Sequence, residues 1–235
     1  MRGFVNEGAS VALMDVDQAG GEQAARDLGA ACEFFPADVG REPDVTAAVD
    51  RILDRFQKID HLVNNAGVVL VKPLEESTGE DWDRVMNVNA KGAFLMMKYC
   101  LRALRRAAEP TIVNIGSISS FVGQKLTPIY VASKGAIALL STSVALDYAK
   151  YRIRVNCVAP GITDTPMFRY HASRTPDPET TVRERTNRVP LGRLLTGEDI
   201  ANAVLYLSCG ESSAITGINL VVDGGYLAAA EWSNT

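Results

Sequence analysis

An open, doubly wound α/β sheet is the fold class this sequence predicts, and three observations predict it. Short runs of β-branched and apolar residues alternate with longer helical stretches, strand then helix, along the whole chain. Most of the short runs are continuously apolar rather than alternating, as strands buried on both faces of a parallel sheet must be. The chain is 235 residues long, 47% apolar and 22% charged, which is ample for one large domain with a sizeable core.

The elements follow in order. Residues 4–9 read as the last turn of a helix delivering into a strand at 10–15. A helical stretch at 18–28 closes on Gly29, and a strand follows at 32–37. Helix 42–57, strand 60–64, helix 81–107 and strand 111–117 continue the alternation. Helix 129–148 leads to strand 153–159, and helix 198–208, approached through Gly197, Glu198 and Asp199, leads to strand 217–223. The long stretch at 161–197, rich in Pro, Arg and Thr, reads as irregular, and a loop of that length is expected to be a lid or binding loop. With no linker or repeat, residues 1–235 are expected to form a single domain. Residues 135–146 carry no charge on any helical face, so that helix needs cover on both sides, and a second subunit is the expected cover.

Composition excludes several classes. A formal net charge of −4 argues against a nucleic-acid groove or a polybasic membrane patch. No apolar run approaches the roughly 18 residues that span a bilayer, and the first residues lack the apolar core of a signal peptide. Cys32, Cys100, Cys157 and Cys209 lie far apart with only His61 and His171 beside them, which is neither a disulfide scaffold nor a metal site. A reduced, cytoplasmic protein is the expectation.

The residues that carry chemistry are Ser117, Tyr130 and Lys134. The Tyr130-x-x-x-Lys134 spacing places both side chains on one helix face, and Ser117 stands at the carboxyl end of a strand, where open α/β folds bind ligands. A tyrosine with a pKa near 10 needs roughly 4 kcal/mol to reach neutrality. One ammonium about 4 Å away, at an effective dielectric near 20, supplies about that much. The pair would then be a general acid/base near neutral pH.

Around these residues the sequence resembles the short-chain dehydrogenase/reductase family. The likeness is carried by Asn64-Asn65-Ala66-Gly67, Asn87-Val88-Asn89-Ala90-Lys91-Gly92, Ile115-Gly116-Ser117, Tyr130-Val131-Ala132-Ser133-Lys134, the run from Asn156 through Pro160-Gly161-Ile162 to Thr165, and Val222-Asp223-Gly224-Gly225. Their order and spacing agree over essentially the whole chain. The resemblance implies a Rossmann-like domain that transfers a hydride between NAD and a small alcohol, ketone or polyol. It implies a catalytic tetrad of Asn89, Ser117, Tyr130 and Lys134. Tyr130 would exchange the proton, Ser117 orient the substrate oxygen, and Lys134 serve both Tyr130 and the ribose. Asn89 would hold a relay water and shape the helix. A dimer of dimers, hence a homotetramer, is the implied assembly.

The cofactor residues follow from the same resemblance. Asp15 ends the first visible strand, where a carboxylate accepts from the ribose 2′-hydroxyl and repels a 2′-phosphate, so NAD is favoured over NADP. Asp38 and Val39 would meet the adenine. Asn65, Ala66 and Gly67 would let the nucleotide approach the backbone, and Pro160, Gly161, Ile162 and Thr165 would line the nicotinamide. Gln124, Lys125, Tyr170 and His171 are polar enough to meet substrate hydroxyls, although solvated loop residues are the simpler reading of them.

One departure from the family pattern stands out. A first strand and a glycine-rich turn that cradles the pyrophosphate should precede Asp15, about 20 residues in all, and neither is found. The expectation is an N-terminally truncated sheet lacking its central strand, between the strands that end at Asp15 and Asn64. NAD binding is then expected to be weakened at least a thousandfold. The alternative expectation is a non-catalytic, cofactor-deficient member acting as a binding or scaffold subunit.

Overall fold

The computed structural model describes residues 1–229. Six strands run parallel in two ladders: β1 (Val11–Asp15) pairs with β2 (Cys32–Pro36), and β3 (His61–Asn64), β4 (Thr111–Ile115), β5 (Arg154–Pro160) and β6 (Asn219–Val222) pair in that order. Between β1 and β3 there is no ladder, so the sheet is interrupted where the family pattern leads one to expect a central strand.

The apolar runs sort residues to two faces with a period of two. Ile112 and Val155 face a layer made by α3 (Glu42–Phe56), α5 (Gly92–Leu104) and α6 (Pro128–Tyr148), in a core with Val45, Leu95, Met97, Leu104 and Ala145. Val113 and Val158 face the other way, onto Val204 and Leu207 of α9 (Gly197–Ser208), with Phe4 of the short α1 (Arg2–Asn6) packed alongside. Helices on both faces are what doubly wound means, and the sequence expectation holds. Its reading of most strands as buried on both faces holds for β4 and β5; β1 and β6 are only partly buried, one bordering the interruption and the other forming an edge.

Helix starts follow local chemistry. Asp17 accepts from Gly20 N–H ahead of α2 (Gln18–Leu28), and Thr78 and Thr196 form reciprocal capping boxes with Asp81 and Asp199 ahead of α4 (Gly79–Met86) and α9. The stretch read as one helix over 81–107 is divided: α4 ends at Met86, a π-helical turn spans Asn87–Lys91, and α5 follows. The stretch read as irregular over 161–197 contains two helices, α7 (Pro166–Ser173) and α8 (Pro178–Asn187). Both open with a capping side chain, Thr165 or Asp177, followed by proline in the first turn.

Helix α6 buries Ile129, Ser133, Lys134, Ile137, Ala138, Ser141 and Ala145 against the sheet. Its outer face leaves Leu139 and Leu146 about three-quarters exposed, at 75% and 76%. By length and composition alone, the span 128–151 is apolar enough to cross a membrane, although no single apolar run in the sequence is that long. A polar chain ties α6 to the sheet: Asn64 Nδ2 donates to Asn114 Oδ1 at 2.7 Å, and Asn114 Nδ2 donates to Ser141 Oγ at 2.8 Å. Asn114 is fully buried, so Asn114→Ala leaves buried Ser141 and partly buried Asn64 without that partner. A loss of about 1–3 kcal/mol is expected, read as a lower urea midpoint with an unchanged slope.

Candidate active site

The site is built where β3, β4 and β5 end. Gly116 extends the ladder past β4 by donating to Val158 O at 2.8 Å. A side chain there would meet Cys157 Sγ at 2.7 Å, so glycine is what lets the strand end lie on β5. Ser117 then caps a short 3-10 turn over Ile118–Ser120, its Oγ accepting from Ser119 N–H at 3.1 Å. Ser120 Oγ donates to Lys134 O at 2.8 Å, which clamps this turn to α6.

Tyr130 and Lys134 lie one turn apart on α6. The Ser117 side chain stands against the Tyr130 hydroxyl and favours its phenolate form. Lys134 Nζ lies 5.7 Å from the centre of the Tyr130 ring and donates to Ile115 O at 2.8 Å. Lys134 is only 5% exposed, and burial pulls its ammonium down to about 8. Burial likewise raises Tyr130 above the ordinary tyrosine range, with Ser117 opposing. The sequence argument for a tyrosine brought near neutrality by lysine is therefore corrected. Withdrawal from water destabilises the phenolate and the ammonium alike, and it is the largest influence on each.

Asn89 sits in the π turn, 3% exposed, with both amide hydrogens engaged. Its Nδ2 donates to Val68 O and to Ser133 Oγ, each at 2.9 Å, while its Oδ1 accepts from Val68 N–H at 2.8 Å. Ser133 Oγ in turn donates to Tyr130 O at 2.7 Å. Asn89 thus staples the segment after β3 to α6, with no side-chain donor left for a relay water. Gly67 lies between the two buried groups: a Cβ there would stand 3.5 Å from Asn89 Oδ1 and 3.6 Å from Lys134 Nζ. Asn65 and Ala66 precede it directly after β3.

The remaining candidates occupy the other strand ends. Gly161 donates to Val222 O at 2.8 Å, and a side chain there would strike the Asp223 backbone at 2.6 Å. Pro160 ends β5, and buried Ile162 accepts from Leu195 N–H at 2.9 Å. Thr165 Oγ1 is engaged as the cap of α7, accepting from Phe168 N–H at 3.2 Å. Asp15 ends β1, paired with Pro36, and Asp38 stands two residues beyond β2. Asp15 Oδ1 accepts from Asp17 N–H at 3.0 Å, and Asp38 Oδ1 from Gly40 N–H at 2.8 Å. Val39 is partly buried and packs against Gly92 and the α5 core. Sequence reasoning passed over Ser119, Ser120 and Ser133. The last lies three residues after Tyr130, a helical spacing that marks it as a neighbour.

Comparison with known proteins adds the decisive observation. The family model described as enoyl-(acyl carrier protein) reductase, of the short-chain dehydrogenase/reductase kind, matches residues 2–227. The chain belongs to the short-chain dehydrogenase/reductase family. This short-chain enzyme is 38% identical over 228 residues to cyclopentanol dehydrogenase of Comamonas testosteroni, covering 96% of this chain and 90% of that one. It is 36% identical over 226 residues to L-fucose dehydrogenase of Mus musculus, covering 96% and 82%. Ligand-free Thermoplasma acidophilum aldohexose dehydrogenase superposes with a TM-score of 0.89 at 32% identity, covering 99% of this chain and 89% of that one. This member of the family is therefore an oxidoreductase whose relatives act on alcohols and sugars.

The burial of Tyr130 makes a direct prediction. In an ultraviolet pH titration of the ligand-free protein, the difference between wild type and Tyr130→Phe should show one phenol that stays protonated through neutrality and ionises above the ordinary tyrosine range. A component ionising near pH 7 would overturn the argument from burial.

Proposed function

We propose that this chain is an NAD-dependent dehydrogenase/reductase that moves a hydride between nicotinamide and a small alcohol, ketone or polyol, with Tyr130 as general acid/base. The observation that carries the reading is Ser117 set against Tyr130, over a buried Lys134, at the ends of parallel strands. The residues fit the nicotinamide–ribose half of the cofactor. Lys134 has three N–H donors and uses one on Ile115 O, and side-chain-free Gly67 adjoins it. Two donors are thus left for ribose hydroxyls. The cofactor, when bound, supplies the hydride acceptor or donor.

The chain's own residues handle the substrate oxygen. In reduction, Ser117 donates to the carbonyl oxygen and orients it. Tyr130, held as a neutral phenol by burial, then gives its proton to that oxygen, so that carbonyl becomes alcohol. In oxidation the same proton returns to a Tyr130 phenolate, which makes alkaline pH the favourable range for that direction. The relatives' names place cyclopentanol, L-fucose and aldohexoses in the same class of small hydroxylated substrate. The 161–197 segment serves as the lid of one domain. A second copy is the proposed cover for Leu139 and Leu146, in a dimer of dimers, and the proposed setting is cytoplasmic.

The pyrophosphate end fits less well. Gly3 precedes Asp15, but a side chain there would strike Leu205 of α9 at 2.6 Å, so this glycine serves packing. The second reading is a cofactor-deficient binding or scaffold subunit.

Calorimetric titration with NADH separates the two readings. Binding with turnover carries the dehydrogenase reading, and no binding at all favours the scaffold. Tyr130→Phe should lower kcat at least about a hundredfold while leaving NADH affinity within a few-fold, and residual activity above about a tenth would remove Tyr130 from the proton step. Asp15 should give NAD a clear advantage over NADP in kcat/KM, and equal values would remove Asp15 from the ribose site.

A further inference from the structure

The hydrogen bonds around Ser117 do not end at the catalytic pair. Ser119, whose N–H holds Ser117 Oγ, is itself buried at 3% exposure, and its hydroxyl donates to Gln124 Oε1 at 3.1 Å. Gln124 Nε2 lies 3.1 Å from His171 Nδ1, on the second turn of α7. Since the amide nitrogen can only donate, Nδ1 is the bare ring nitrogen and Nε2 carries the proton. Burial and the nearby Arg185 guanidinium both favour this neutral ring. A continuous chain therefore runs from the lid helix through His171, Gln124 and Ser119 to Ser117.

The loop presenting Gln124 is held more tightly than a solvated connection requires. Leu126 adopts a left-handed backbone at φ 61°, a conformation unfavourable for a branched side chain. Its carbonyl accepts from Lys72 N–H at 2.6 Å, and Lys72 is fixed by an ion pair with Asp81 at 2.9 Å. Fully buried Thr127 donates from Oγ1 back to Gln124 O at 3.3 Å. On the other side, Asp164 and Arg169 form a bidentate pair at 2.7 Å across the start of α7. Asp164 N–H also donates to Leu195 O at 2.8 Å. Both ends of the Gln124–His171 contact are thus built on restrained backbone, and strain tolerated beside a reacting centre is a mark of function.

We infer that Gln124 and His171 are positioning residues, a latch that seats lid helix α7 on the active site and, through Ser119, holds the Ser117 hydroxyl in its working orientation. The inference rests on the dehydrogenase reading for the role of Ser117, but the latch itself is a property of the lid. Its geometry is specific to Nδ1. The side-chain oxygen of asparagine stands where Nδ1 of histidine stands, whereas that of glutamine stands where Nε2 does. His171→Asn should therefore keep the latch, and His171→Gln should lose it.

The test uses the full chain and two independent readouts. Limited trypsin digestion reports seating of the lid, whose Arg169, Arg174, Arg183, Arg185 and Arg188 are cleavage sites. Steady-state kinetics report Ser117. Gln124→Leu, His171→Phe and His171→Gln should each raise the cleavage rate in the lid about tenfold. They should lower kcat by a similar factor with NADH affinity unchanged. His171→Asn should stay within about twofold of wild type in both, and urea midpoints identify any variant that is merely unfolded. Unchanged cleavage in Gln124→Leu and His171→Gln overturns the latch, as does His171→Gln matching His171→Asn. Faster lid cleavage in a protein with no turnover in any form supports the latch and counts against the dehydrogenase reading alone.

Discussion

The burial of one amine is the constraint on which the rest of the site depends. Lys134 is nearly withdrawn from water in the middle of a helix, and an ammonium there is tolerated only with polar partners close at hand. Its carbonyl partner, Ile115 O, is the last of β4, so satisfying the lysine fixes where α6 lies along the sheet. Once that is fixed, Tyr130 one turn earlier has no choice but to meet Ser117, which follows the same strand by two residues. Ser120 and Ser133 repeat the arrangement from the helix side, one clamping Lys134 O and the other Tyr130 O. The geometry of the reacting groups is a by-product of solvating a charge with backbone.

What the sequence revealed and what it hid divide along physical lines. The tetrad and the strand ends were legible because small residues, polar residues and periodic apolar runs occur together there. Gly116 and Gly161 sit where a side chain would collide, and such positions leave a clear mark. Helices α7 and α8 were hidden because they bury little: Ala172 alone is buried on the first and nothing on the second, so no apolar stripe announces them. Their starts were nonetheless written as Thr165-Pro166 and Asp177-Pro178, a cap followed by proline, and counting composition across the stretch concealed both. The ionisation of Tyr130 was misjudged for another reason. Spacing shows that a lysine is near, but not how much water is left around either group.

The two ladders show how unevenly the stability of this fold is distributed. β4 and β5 are enclosed by helices on both faces and carry the central residues of both cores. β1 and β2 have each other and α2, with half-buried side chains along β1. Ser117, Tyr130 and Lys134 stand against the enclosed ladder, and Asp15 ends a strand of the thin one. Loosening of the thin ladder can therefore leave the packing around Tyr130 intact.

The π turn at Asn87–Lys91 has a consequence for how this chain can change over time. A π turn holds one residue more than an α-helix does, and one residue in an α-helix is about 100° of rotation. The turn absorbs that residue locally, so α4 and α5 keep the faces a continuous helix would give them. A single-residue deletion there could close the turn to an ordinary α turn and leave Leu95, Met96, Met97 and Cys100 on the core. What such a shortening would put at stake is the place of Asn89, which reaches Val68 and Ser133 from the widened turn.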